Sequence, residues 1–252
     1  MKTNLFILLQ FALLFPLSMG GLQNVDIPKG MVLVPGNDKI KSFYMDKYEV
    51  TIAEFHEFVK ATGYVTVAER IGGTMYTIPG NQWALAEHNN WRTQSFYARR
   101  NIELDKTKEE ALQNTPVLAM APEDVLAYAK WAGKRIPTYW EWVHAATAGQ
   151  SDYPFLYPGS NKIKEVAWYE ANTDNYFPEP VGTKKPNELG IYDLAGNAGE
   201  LVNSSLKPDE FRIVGGSFVD TKTSCEIGKV ANIPVAIDRP LCCLGIRLVK
   251  DL

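Results

Sequence analysis

Gly190-Ile191-Tyr192-Asp193-Leu194-Ala195-Gly196-Asn197-Ala198-Gly199-Glu200-Leu201 gathers two carboxylates, an amide and three glycines into one short stretch. Glycine tolerates the sharp backbone turns that aim carbonyls inward. Carboxylate, carbonyl and amide oxygens are the ligands a hard cation such as Ca²⁺ takes. Downstream, Phe211-Arg212-Ile213-Val214-Gly215-Gly216-Ser217-Phe218 reads as a strand running into a glycine pair. Leu244-Gly245-Ile246-Arg247-Leu248 reads as a closing strand. The order of these three pieces carries the reading of the fold.

The chain has 252 residues, 46% of them apolar and 22% charged, enough for a real core in one large domain or two small ones. Six Trp and twelve Tyr point to aromatic packing in irregular structure. A net charge of -3 leaves no nucleic-acid footprint, and no polybasic run suits a membrane surface. Lys2, the apolar run Leu5 to Leu17 and the small residues around Ser18-Met19-Gly20 read as a signal peptide over residues 1–20. The run is short for a membrane-spanning helix, and no Cys follows it to take a lipid. The expected mature chain starts at Gly21 and works outside the cytosol: secreted, periplasmic or on the cell surface. Cys225, Cys242 and Cys243 lie near the C-terminal end. Export permits a disulfide, and a Cys225 bridge to either neighbour is open.

Short strands are expected at Val32–Val34 and Phe43–Met45, around Pro35-Gly36. The capping box Thr51-Ile52-Ala53-Glu54 opens a helix closed by Gly63. Residues 64 to about 115 read as irregular, with packed aromatics first and a solvated charged run, Glu103 to Glu110, after. A second helix is expected over Pro122–Ala132 and a third from Thr138-Tyr139-Trp140-Glu141 to near Gly149. Beyond it, Pro, Gly and short apolar runs dominate. With no repeat and no linker, the expectation is a single α+β domain over 21–252.

Taken in order, these segments resemble the formylglycine-generating enzyme, or sulfatase-modifying factor, family. The resemblance rests on Met31-Val32-Leu33-Val34-Pro35-Gly36, Tyr48-Glu49-Val50-Thr51, Ala61 through Arg70, Ala127 through Thr138, Gly190 through Glu200, Gly215-Gly216-Ser217 and Gly245-Ile246-Arg247. It implies an irregular α+β fold, a distant variant of the C-type lectin fold. It also implies a structural Ca²⁺ held at Asp193, Gly196, Ala198 and Glu200. A second calcium site, around Asn172-Thr173, lacks an obvious later acidic partner.

The family's chemistry holds Cu(I) between two thiolates, activates O₂ and oxidises a substrate cysteine in a Cys-x-Pro-x-Arg peptide to formylglycine. Those thiolates stand three and eight residues after the serine of Gly-Gly-Ser. Counted from Ser217, the eighth is Cys225 and the third is Asp220. A hard carboxylate is a poor Cu(I) ligand, so copper is not expected here. Related iron enzymes use a histidine cluster, whereas His56, His88 and His144 are widely spaced. With the signal peptide, the resemblance points to an exported protein that binds a protein or peptide ligand, or an envelope partner. The alternative is a divergent O₂-dependent oxidase acting in sulfatase maturation through Ser217 and Cys225.

Overall fold

A computed structural model describes residues 27–78, 82–93, 112–173, 177–204, 210–233 and 235–252. The signal-peptide reading of 1–20 and the charged run 103–110 lie outside these residues. The first sheet is built on β2 (Phe43–Asp46), flanked by β1 (Met31–Val34) and β10 (Val249–Asp251). Both neighbours are antiparallel to it, with Met31 opposite Asp46 and Val249 opposite Met45. All four β2 residues are buried. A second sheet has β7 (Gly199–Asn203) between β8 (Phe211–Val214) and β9 (Leu244–Gly245). The β7–β8 pair is antiparallel and the β7–β9 pair parallel. The unbroken apolar pair Leu201-Val202 suits a strand covered on both faces.

The expected helices form. α1 (Ile52–Thr62) starts at the Thr51–Glu54 capping box and ends at Gly63. α3 (Pro122–Ala132) has Pro at its first turn, where no N–H is needed, and ends at Gly133. α4 (Tyr139–Ala146) starts at the Thr138–Glu141 capping box and stops short of Gly149. A one-turn helix, α5 (Ile163–Val166), leads into β5 (Ala167–Trp168), which pairs with β6 (Ala195–Gly196).

The stretch after residue 63 departs from the irregular expectation. It holds a short helix, α2 (Val67–Ile71), and a hairpin of β3 (Gly73–Ile78) with β4 (Gln82–Glu87). Thr66 and Glu69 form a third capping box. Gly72-Gly73, which reads as loop punctuation, instead closes α2 and opens β3, and Pro79-Gly80 lies outside the described residues.

Two apolar clusters lie on either side of the second sheet's strands. One holds Phe55, Phe58, Trp91, Tyr128, Leu201 and Ile246. The other holds Phe43, Met45, Trp142, Leu194, Val214 and Val249. Phe55 is fully buried, with ring centroids 5.3 Å from Phe58, 5.1 Å from Trp91 and 5.7 Å from Tyr128. Edge-on and offset ring contacts add to the burial of apolar area. Phe55→Ala is expected to cost about 3–5 kcal/mol. Urea melts would show a lower midpoint at unchanged slope.

Candidate functional site

The glycine-rich turn closes around a buried guanidinium. Arg247, between β9 and β10, has a side chain 0% exposed, and Glu200 on β7 is 1% exposed. Arg247 Nε donates to Glu200 Oε1 at 2.7 Å, Nη1 to the Asp46 carbonyl at 3.0 Å and Nη2 to the Tyr192 carbonyl at 2.7 Å. The other oxygen of Glu200 accepts from Trp142 Nε1 at 2.5 Å.

Three further carboxylates surround this pair. Asp46 pairs with Lys134 at 2.5 Å. Glu49 accepts from the Ala198 N–H at 2.8 Å and from Asn197 Nδ2 at 2.7 Å. Asp193 Oδ2 accepts from the Gly182 N–H at 2.6 Å. Asp193 and Asn197 carry φ of 56° and 60°, a left-handed backbone that Asp and Asn accept better than most residues. Gly196, with φ of 74°, is required sterically, since a Cβ there would overlap the Trp168 carbonyl.

Four carboxylates share this region with Arg247 and Lys134, and burial shifts all four upward. Burial holds Glu49 well above the usual carboxylate range, and the Asp193 charge pushes it further. Burial pushes Asp193 up to about 6, against the Gly182 hydrogen bond. Burial also raises Asp46 and Glu200, opposed by Lys134 and Arg247 respectively.

The donor set fits a Ca²⁺ ion only in part. Asp193, Gly196, Ala198 and Glu200 lie within eight residues of sequence, but Gly196 is on β6, Glu200 is on β7, and both Glu200 oxygens already accept N–H donors. Among the described residues no three His, Cys, Asp or Glu side chains are grouped as a metal would require. The spare acceptor is Asp193 Oδ1, buried and without a hydrogen-bond partner. Asn172 instead caps the turn after β5, accepting from the Tyr169 N–H and donating to the Ala167 carbonyl. His144 is engaged through Nε2 with the Pro35 carbonyl at 2.7 Å, away from His56 and His88.

Beyond β8 the chain passes through Gly215 and Gly216, both in the left-handed region. Gly216 backs directly onto Cys225, whose Sγ would lie 2.9 Å from a Cβ added there. Ser217 Oγ donates to Asp220 Oδ2 at 2.5 Å. Cys225 is 1% exposed and sits in an apolar cluster with Tyr157, Tyr169 and Ala195. Burial pushes its thiol up to about 12, and the Asp220 charge adds to this. All three cysteines are free thiols, so the open bridge from Cys225 is not formed. Cys242 and Cys243 instead face each other, with Sγ atoms 3.2 Å apart.

Ser217, Asp220, Cys242 and Cys243 line a cavity of about 500 Å³, with Trp83 and Ile213 among its apolar walls. Cys225 is not part of that lining. Of the two positions that carry thiolates in the family, only Cys225 bears sulfur here.

Sequence reasoning overlooked Glu49 and the contact between Cys242 and Cys243. Glu49 carried a weak signal: an acid set between Tyr48 and Val50 in a run that is otherwise largely apolar. Arg247 was visible as part of a motif, but nothing in the sequence showed it as a buried node.

Among the described residues no helix is long and apolar enough to cross a membrane. Residues 20–252 match the Sulfatase-modifying factor enzyme 1-like domain. The formylglycine-generating enzyme of Bos taurus is 33% identical over 183 residues, which cover 64% of this chain and 48% of the relative. The chain thus spans about half the length of that relative. A Bos taurus protein named inactive C-alpha-formylglycine-generating enzyme 2 is 29% identical over 204 residues, 72% of this chain and 67% of the relative. Among solved structures, PvdO from Pseudomonas aeruginosa superposes with a TM-score of 0.59 at 21% identity, covering 84% of this chain and 82% of PvdO. That likeness concerns the fold alone, but the match over 20–252 covers nearly the whole sequence. The chain belongs to the sulfatase-modifying-factor family.

Proposed function

We propose that this chain is an exported member of the family that binds a protein or peptide ligand, or an envelope partner, and lacks the standard copper oxidase chemistry. One observation carries the reading: at the position of a family thiolate, Asp220 spends its carboxylate on Ser217. Cys225, the other thiolate position, lies in a separate apolar cluster. Soft thiolates are what Cu(I) selects, and a carboxylate does not replace one. The cavity beside Ser217 mixes apolar walls, such as Trp83, Ile213 and Leu241, with polar groups from Asp220, Lys229 and Asn232, as a ligand site does. An inactive relative within the same family supports the reading.

A structural Ca²⁺ at the glycine-rich turn belongs to the same proposal. Asp193 Oδ1, buried and without a donor, supports it. Glu200 would stay with Arg247.

The functional reading is tested with the reduced full chain, Cu(I) in a competition titration and a Cys-x-Pro-x-Arg peptide under O₂. We expect no stoichiometric copper and no aldehyde. Aldehyde formation that depends on Cys225 would overturn the reading in favour of the oxidase. Export is checked by N-terminal sequencing of the secreted protein, expected to begin at Gly21.

The turn is tested by pH and metal together. In chelator, the folded state keeps a proton on Asp193 that the unfolded chain releases. That stabilising term is complete below the ordinary value of 3.8 and is lost as pH rises through about 6. Asp193→Asn is expected to remove its share of that slope in thermal melts. Added Ca²⁺ should raise the melting temperature of the parent and leave Asp193→Asn unmoved. Glu200→Ala is expected to destabilise by about 3–5 kcal/mol with or without Ca²⁺, because it strands a buried guanidinium.

A further inference from the structure

Cys242 and Cys243 are neighbours in sequence, yet both sulfurs reach one place, 3.2 Å apart, on the wall of the cavity. Both side chains are partly exposed, in contrast to Cys225. The backbone around them is fixed from both sides. The Met75 N–H donates to the Pro240 carbonyl at 2.8 Å, Leu241 donates to the Met120 carbonyl at 2.9 Å, and Gly199 donates to the Cys243 carbonyl at 2.9 Å. The thiol pair is thus carried on a segment tied to β3, to the entry of α3 and to β7. It is held in place as a reactive pair needs to be, at the edge of a space large enough for a short peptide.

Adjacent Cα atoms are about 3.8 Å apart, shorter than the roughly 4.4–6.8 Å that relaxed disulfides span. A bond between these two sulfurs would be strained, and strained disulfides are readily reduced. The pair is therefore poorly suited to be a permanent staple and well suited to cycle. In the reduced form, a hydrogen bond from one thiol favours the thiolate of the other, and the thiolate is the nucleophile.

We propose that Cys242 and Cys243 form a redox-active vicinal dithiol that exchanges with peptide disulfides admitted to the cavity. The Cys242 thiolate attacks one sulfur of the incoming disulfide. That S–S bond breaks, a mixed disulfide forms on Cys242, and the departing sulfur takes up a proton as a thiol. Cys243, deprotonated in turn, attacks Cys242 Sγ and expels the second thiol. The protein ends with one internal disulfide, two electrons poorer, and the peptide disulfide ends as two thiols. Because the internal disulfide is strained and therefore the more oxidising partner, an excess of the peptide disulfide drives the sequence forward, and a dithiol readily runs it backwards. The proposal needs neither calcium nor copper and stands apart from the binding reading.

The test uses the reduced full chain, freed of reductant, with glutathione disulfide as the probe. Acid-quenched intact mass and peptide mapping read the products. The expected result is the loss of two hydrogens, a bond mapped to Cys242–Cys243, Cys225 recovered as a free thiol, and full reversal by a dithiol. Cys243→Ser should instead stop at a stable glutathione adduct on Cys242. If that variant fails to fold, Cys242→Ala should show neither adduct nor internal bond. Two stable adducts, disulfide-linked dimers, a bond to Cys225, or no reaction at probe concentrations that oxidise the urea-unfolded chain would each overturn the proposal.

Discussion

A guanidinium sealed from water is the constraint that the rest of this structure answers to. Arg247 cannot be deprotonated to escape burial, so its charge must be met where it lies. Glu200 supplies the counter-charge, and the carbonyls of Asp46 and Tyr192 each accept from one arm of its fork. Those partners come from the second sheet, the first sheet and the glycine-rich turn. The Trp142 indole then fixes the far side of Glu200 and brings α4 into the same node. One side chain thereby sets the relative position of most of the scaffold, with the directional specificity that a planar five-donor group provides and an ammonium does not.

The turn and the cavity are distinct places with distinct chemistry. The turn is rich in charge, closed and tied into the backbone. The cavity has apolar walls edged with two sulfurs, one carboxylate and the Lys229 ammonium. β7 runs between them, with Gly199 on the cavity wall and Glu200 in the charged node. Alternation along a strand sends successive side chains to opposite faces, which is how adjacent residues come to serve two environments without mixing them. The acid cluster therefore sits on the opposite face of β7 from whatever occupies the cavity.

Much of the architecture was legible because its signals are local. Capping boxes at Thr51 and Thr138, a first-turn proline at Pro122 and left-handed glycines at 63 and 133 mark helix ends through backbone chemistry alone. The box at Thr66–Glu69 carries the same signal, yet it was submerged in a stretch rich in glycine and aromatics. The β3–β4 hairpin was missed because Gly72-Gly73 looks like a loop until a partner strand closes on it. The candidate site was legible in its residue types and illegible in its pairings. No spacing rule brings Glu49 to Asn197, or aligns two neighbouring cysteine sulfurs, because those meetings are set by long-range packing. Asp220 stood out in sequence through its departure from a family pattern, and its hydrogen bond to Ser217 gives that departure a physical form.

The Arg247 contact with the Asp46 carbonyl spans 201 residues of sequence. The strand that completes the first sheet, β10, lies just beyond it. During synthesis, β1 and β2 therefore wait with one edge unpaired until nearly everything between has been made. Folding dominated by such distant pairings is slow. The first sheet is therefore among the last parts of the fold to be completed, and the open edge of β2 stays available for pairing until then.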